Sequence, residues 1–515
     1  MARPARGLLV CLLLLALLLT FWSRCCWVGE LVAKRTASAI GAVLLEVFVR
    51  LDQQGLLEAP HKGRRCEDVS FRVTKGLGSR GYKAVRVSAV CRLPRHLPKS
   101  EEGCASAGRV WLPGVEGAEG ADGQAISLGR FQHCGRFQHR WSHFHLSSSL
   151  LSLEPGASQQ VLFNHTTGPF ALDVAVPQRG SGVHGIVIGD PCISSRYLPG
   201  LCNSRWDVLS RLTKLLDVVT AVDRLDFLIV LGDAFYDVHG GLTAEFWRHL
   251  SKRTQQVFLL AVPGNHDFWM FAPQATLPQD QLGFGFAQWF AQDTAAARGV
   301  QPFLTKQPSL AVSEPSDLPS AENFFFYHTL GNVGFLGYSA AHPWAAQGHL
   351  FREACAYFSS EPPEQVYLLG HWTKVELGCQ DGMDVPSLFE TLREGPCARV
   401  ADRMFYFMGH DHCNQQTQDG RGFMIGGVGA LHGNCNEWGF GYVDTRASSS
   451  YDSGPRVQGA TAHTVTKFTV ATDTEDHFPD LHTCILARRS LGACTGSHGE
   501  VWLNETAGLV GAGVR

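Results

Sequence analysis

Five times in this chain a short apolar run ends in glycine, and a residue able to bind a metal ion follows at once. The run 185–189 ends at Asp190. The run 227–231 leads through Gly232 to Asp233. The run 256–262 leads to Gly264-Asn265-His266-Asp267, the run 365–369 to Gly370-His371, and the run 403–408 to Gly409-His410-Asp411-His412. Apolar runs this short, bounded by turn residues, read as buried β-strands. The carboxyl ends of strands in α/β sheets are where ligands bind, and a strand holds its terminal side chain on a rigid frame. Carboxylate, imidazole and amide oxygen suit zinc, iron or manganese rather than a soft metal. Glycine before each ligand allows a tight turn, since it carries no Cβ. A Gly-Asp or Gly-His pair alone is commonplace; the ordered set is the signal.

Between these runs, residues 206–223 carry apolar side chains at three- and four-residue spacing and read as a helix, as do 242–251 and 351–359. Strand and helix in alternation argue for a layered α/β domain. Further strands are expected at 324–327 and 333–338 as a pair, at 422–428 and 438–443, and at 464–472, which closes a sheet. Residues 268–322 form a long insertion with a helix expected at 284–292. Its Trp269, Phe271, Phe284 and Trp289 are candidates either for a cover over a cleft or for ordinary packing. The tail from Asp473 is unassigned.

Ahead of this part, residues 31–180 give short alternating stretches, at 69–74, 83–90, 144–153, 159–164 and 170–176, separated by turn residues. They predict a β-rich region, with a sandwich as the model. Residues 113–129 are rich in Gly and Ala and read as a loop. His133, Cys134, His139, His143 and His145 are metal-capable types, but their spacing fixes no known geometry, and they read first as surface or core residues. The expected segments are 1–30 (targeting), 31–180 (β-rich), 181–475 (the α/β domain) and 476–515 (tail).

Lys plus Arg number 44 against 47 Asp plus Glu, a net charge of -3, and no basic run occurs, so a nucleic-acid partner is not expected. No Gly-x-Ser-x-Gly elbow supports a serine hydrolase. The 16 cysteines show no Cys-x-x-Cys zinc pattern, and disulfides are expected instead. Arg3 and Arg6 precede an apolar stretch at 8–22, which reads as a signal peptide or an uncleaved membrane anchor. With the sequons at Asn164 and Asn504, this predicts the secretory pathway: a secreted, lumenal (vacuole- or lysosome-like) or membrane-anchored protein, with its enzyme domain on the lumenal or extracellular side.

The series Gly189-Asp190, Gly232-Asp233-Ala234-Phe235-Tyr236, Gly264-Asn265-His266-Asp267, Gly370-His371 and Gly409-His410-Asp411-His412 resembles the calcineurin-like metallophosphoesterase superfamily. The form Gly-Asp-x-x-Tyr resembles its purple (tartrate-resistant type) acid phosphatase branch. The likeness spans 185–445, about half the chain. It implies a four-layer α/β/β/α sandwich and two metal ions. Asp233 would bridge them, Asp190, Tyr236 and His412 would hold the first, and Asn265, His371 and His410 the second. His266 would serve at the leaving-group oxygen, oriented by Asp267. The purple branch implies Fe(III) partnered by Fe(II), Zn or Mn. The implied reaction is hydrolysis of small phosphate monoesters by metal-bound hydroxide. The alternatives are a phosphodiesterase acting on a lipid headgroup or nucleotide, and a non-catalytic binding protein on a phosphatase scaffold.

One position departs from the pattern. Where the family places His or Gly two residues after the first aspartate, this chain has Cys192. It is a candidate thiolate ligand, a candidate disulfide partner of a nearby cysteine such as Cys202, or a buried free thiol. Cys413 and Cys435 are candidates for a disulfide locking the site loops. His342 and His432 face the substrate, back the ligands or are structural.

Overall fold

The computed structural model describes residues 69–74, 82–93, 109–111, 143–156, 158–165, 168–193, 202, 205–236, 241–268, 286, 290, 324–375, 382–430, 435, 437–446 and 462–506. All belong to one compact unit, Lys62–Arg515. The chain opens with β1 (Ser70–Thr74), β2 (Ala84–Leu93), β3 (Arg109–Trp111), β4 (His143–Ser152), β5 (Ser158–His165) and β6 (Gly168–Ala175). Strand and helix then alternate through β7 (His184–Ile188), α1 (Val208–Val222), β8 (Phe227–Leu231), α2 (Gly241–His249) and β9 (Phe258–Val262). Next come β10 (Phe326–Leu330), β11 (Val333–Gly337), α3 (Trp344–Ser360), β12 (Gln365–Leu369), α4 (Val385–Glu394) and β13 (Met404–Met408). The rest is β14 (Asn414–Gln416), β15 (Gly422–Ile425), β16 (Glu437–Asp444), β17 (Ala462–Thr472), α5 (Phe478–Arg488) and β18 (Gly499–Thr506).

Among the described residues these strands form a nine-stranded sheet in the order β18-β17-β16-β7-β8-β9-β1-β2-β4, a six-stranded sheet β10-β11-β12-β13-β15-β14, and a three-stranded sheet β3-β5-β6. Strands β7, β8 and β9 run parallel, as do β11, β12, β13 and β15. Side chains alternate across each strand, and this alternation sorts the layers. Val187, Phe227, Ile229 and Leu231 of the first sheet meet Phe335, Tyr367, Leu369 and Phe407 of the second in one buried cluster. The rings of Phe227 and Phe335 lie 5.0 Å apart. Ile186, Ile188, Leu228 and Val230 point the other way, among Leu212, Leu215, Leu216 and Val219 of α1. Helix α1 starts where the Asp207 carboxylate accepts the Ser210 amide at 3.1 Å, an N-cap. The result is the expected mixed α/β domain with a β-rich region before it.

The N-terminal strands differ from the sandwich expectation. Strand β1 pairs in parallel with β9 and antiparallel with β2, so β1, β2 and β4 extend the nine-stranded sheet. Polar and apolar residues alternate over Ser70, Phe71, Arg72, Val73 and Thr74, and every one of them is buried. The polar face is covered. Arg72 stacks its guanidinium 3.6 Å from the centre of the Trp247 ring on α2, and the Phe71 amide donates to Gln255 Oε1 at 2.9 Å. A desolvated cation over an aromatic face is attractive by about 2 kcal/mol, which lets a charged residue occupy a buried position.

The tail, unassigned by sequence, supplies α5 and the edge strand β18, with Cys484 bonded to Cys494. In the insertion, Phe286 and Phe290 are buried and stack 4.8 Å apart, against Phe324 and Phe235 at 6.1 and 6.2 Å. Trp269, Phe271, Phe284 and Trp289 lie outside the described residues, as do His133, Cys134, His139 and His432. The backbone at His143 and His145 belongs to β4. His342 sits in the same aromatic cluster, 5.0 Å from Phe324 and 6.1 Å from Phe268, and burial pulls its pKa down to about 3.

The expected localisation is corrected. Among the described residues no helix is long and apolar enough to cross a membrane, which counts against the membrane-anchored secretory form. The apolar stretch 8–22 lies outside the described residues.

Candidate metal centre

Strands β7, β8, β9, β12 and β13 each end in a loop that carries its polar residue to one place. Asp190, Asp233 and His371 offer ligand atoms all within 4.8 Å of one another, and all three residues are buried. Around them the side chains fall into two groups. In one, Asn265 Oδ1 lies 3.2 Å from His371 Nε2 and 3.1 Å from His410 Nδ1, these two nitrogens are 3.1 Å apart, and Asp233 Oδ1 is 3.4 Å from His371 Nε2. In the other, the Tyr236 hydroxyl lies 3.1 Å from Asp190 Oδ1 and 2.8 Å from His412 Nε2, which is 3.4 Å from Asp190 Oδ1. Ligands about 2.0–2.2 Å from an ion stand roughly 3–3.5 Å from each other, and the cluster of Asp190, Asp233 and His371 is close enough to hold a metal ion.

The backbone is bent to achieve this. Asp190 (φ 51°), Asp233 (49°), Tyr236 (53°), His410 (73°) and His412 (52°) all adopt the left-handed conformation, as does Phe235 (65°). L-residues rarely hold such angles, and each costs on the order of 1 kcal/mol or more unless the surroundings enforce it. Strain of this kind gathers at functional sites. Of the five glycines that precede the ligands, Gly232 has a positive φ, +86°. Gly264 is required for another reason: a Cβ there would stand 2.2 Å from Asp233 Oδ1. The tight-turn explanation therefore holds at Gly232, while close approach of neighbouring loops explains Gly264.

Hydrogen bonds fix the ligand orientations. His371 Nδ1 lies 2.7 Å from the Leu231 carbonyl, which can only accept, so Nδ1 carries the proton and Nε2 turns a lone pair toward Asn265 and His410. Lone pairs of carboxylate, amide and imidazole facing each other at this range call for a cation between them. The electrostatics agree. Burial lowers the His371 pKa, but the charges of Asp233 and Asp190 outweigh it and push it up to about 9, so that without an ion a proton on Nε2 would take the place of the cation. Burial raises Asp233, yet His371 and His266 hold it well below the usual carboxylate range. Burial and the two carboxylates push Tyr236 well above its ordinary value. Burial lowers His266 to about 4 against the pull of Asp233. These residues fit metal ions.

His266 Nε2 stands 3.8 Å from Asp233 Oδ2, with its ring 4.4 Å from that of Tyr236. His266, His410 and His412 are partly exposed, while Asp190, Asp233, Asn265 and His371 are buried. Asp267 does something the sequence reading missed: its Oδ1 accepts the Ala234 amide at 3.1 Å and its Oδ2 the Gly264 amide at 2.7 Å. Burial and the charge of Asp233 push its pKa up to about 8, with those two amides pulling the other way. Cys192 is bonded to Cys202, so it is not a thiolate ligand. Cys413, next to His412, is bonded to Cys435. At the rim the Thr373 hydroxyl donates to Asp411 Oδ2 at 2.8 Å, joining the β12 and β13 loops.

Residues 186–414 match the family model "Calcineurin-like phosphoesterase". No curated protein matches the chain in sequence. Among solved structures, a purple acid phosphatase (PPD1) isolated from yellow lupin (Lupinus luteus) seeds is 12% identical, with a TM-score of 0.45 over 77% of this chain and 71% of its own. A conserved uncharacterized protein from Streptococcus pneumoniae TIGR4, described as a predicted phosphoesterase, is also 12% identical, with a TM-score of 0.23 over 56% of this chain and 90% of its own. The match spans the strands and loops that build the metal-ligand cluster, so residues 186–414 form a domain of the calcineurin-like phosphoesterase family.

Proposed function

We propose that this protein hydrolyses phosphate monoesters at a centre of two metal ions. The observation that carries the reading is the division of the ligand atoms into two groups, one around Asn265, His371 and His410 and one around Asp190, Tyr236 and His412. Asp233 offers a ligand atom within 4.8 Å of those of Asp190 and His371, one from each group, and would be shared between the two ions. Two adjacent cations lower the pKa of bound water and offset charge on phosphoryl oxygens. Tyr236 beside Asp190 and His412 supports iron(III) in the first position, with iron(II), zinc or manganese in the second, because a highly charged cation reverses the local preference for a protonated phenol.

The chain's own residues orient and gate. The backbone of β8 and β9 holds Asp233 and Asn265 on a rigid frame, and both side chains are buried. His266 stands at the open side, where an anionic phosphoryl group would favour its protonated form. Its imidazole then holds a proton for the departing oxygen. A small phosphorylated substrate reaches it from the side of His410 and His412.

The test is a panel of phosphate monoesters and diesters offered to purified protein after reconstitution with iron, zinc or manganese. Turnover of monoesters in preference to diesters is expected. Turnover of diesters alone would assign the site to diester cleavage, and no turnover with any metal would remove the hydrolase reading.

A further inference from the structure

Two aspartates cross between neighbouring loops of the site. Asp233, at the end of β8, accepts the amide of His266 in the β9 loop through Oδ1 at 2.8 Å. Asp267, in the β9 loop, accepts the amide of Ala234 in the β8 loop through Oδ1 at 3.1 Å. Each carboxylate thus grips the residue adjacent to the other one. Asp267 Oδ2 also accepts the Gly264 amide at 2.7 Å, which closes the turn carrying Asn265. The approach is so close that a Cβ on Gly264 would overlap Asp233 Oδ1. Asp267 itself is buried, and both its oxygens are engaged by backbone amides.

We infer that Asp267 is a positioning residue, which acts by clamping the β8 and β9 loops together so that Asp233 and Asn265 face the same ion. The inference rests on the two-metal reading for its effect on metal, though the clamp itself is a property of the protein alone. It differs from a role in orienting the His266 ring or exchanging protons with it. Loss of groups that orient metal ligands weakens metal binding by about 10- to 100-fold.

The test compares the full chain with Asp267→Asn, which keeps one acceptor oxygen, and Asp267→Ala, which keeps none. Three readouts are taken: amide hydrogen exchange of the metal-free protein at 232–236 and 263–267, metal retained against a competing chelator, and the pH profile of kcat and KM. The clamp requires a graded series. Exchange at Ala234 and Gly264 rises by about tenfold or more in the alanine variant and less in the asparagine variant. Metal retention falls in the same order, kcat falls with KM little changed, and the pH optimum stays in place. If the alanine variant does not fold, the asparagine variant carries the same readouts. Unchanged exchange at both amides would overturn the inference. So would an asparagine variant as impaired as alanine, with intact metal and a shifted pH profile, because that pattern belongs to proton exchange. If the wild-type protein retains no metal while exchange still responds, the clamp stands and the two-metal reading fails.

Discussion

His371 points Nδ1 at the Leu231 carbonyl, 2.7 Å away, and this contact decides which nitrogen faces the ligand cluster. Leu231 is the last residue of β8 and His371 follows β12, so one sheet sets the tautomer of a ligand delivered by the other. Replacing His371 by alanine removes the lone pair shared with Asn265, His410 and Asp233. The expected outcome is a loss of at least about 100-fold in metal affinity and in kcat, with the fold retained. Metal analysis of the purified variant alongside circular dichroism checks it.

Tyr236 tests the nature of the first ion. Its hydroxyl lies 2.8 Å from His412 Nε2 and 3.1 Å from Asp190 Oδ1. If iron(III) is held there, the protein absorbs visible light through the phenolate, and Tyr236→Phe abolishes the band while the fold persists. A spectrum of iron-loaded wild type without such a band removes the purple assignment and leaves the wider class intact.

The disulfide Cys413–Cys435 closes a loop of 22 residues directly after His412. Replacing both cysteines by serine is expected to lower stability by about 3 kcal/mol through the freed chain. Denaturant titration under non-reducing conditions measures this, and metal retention falls with it because Cys413 adjoins a ligand.

His342 gives the protein a pH dependence separate from the metal site. Its pKa is pulled from 6.5 down to about 3 by burial among Phe268 and Phe324. Above pH 6.5 the ring is neutral in both folded and unfolded chains. Below it the unfolded chain takes up a proton that the folded one refuses, so stability falls by about 1.4 kcal/mol per pH unit toward pH 3. Denaturation at pH 7, 6, 5 and 4 should show a shallower decline in His342→Phe than in wild type.

Much of this site was legible because five-residue apolar strands, buried on both faces, announce themselves without help from partners. The ends of β7, β8, β9, β12 and β13 could therefore be read from local pattern alone. What was not legible depends on distant neighbours. Nothing local to β1 says that Arg72 meets Trp247. The left-handed angles at Asp190 and His412 come from loops pressing on each other, and L-residues give no composition cue for them. Asp267 was read as serving the adjacent His266, whereas its partners Ala234 and Gly264 follow from the pairing of β8 with β9. Cys192 had three readings, and only its approach to Cys202 decides among them.

The number of metal ions bound per chain, measured on purified protein after reconstitution and removal of excess metal, bears most directly on the two groups of ligand atoms. Two ions per chain are expected, both lost together when Asp233 is replaced by alanine. Fewer than one ion per chain in the wild-type protein would contradict the two-metal centre and favour a scaffold that binds without catalysis.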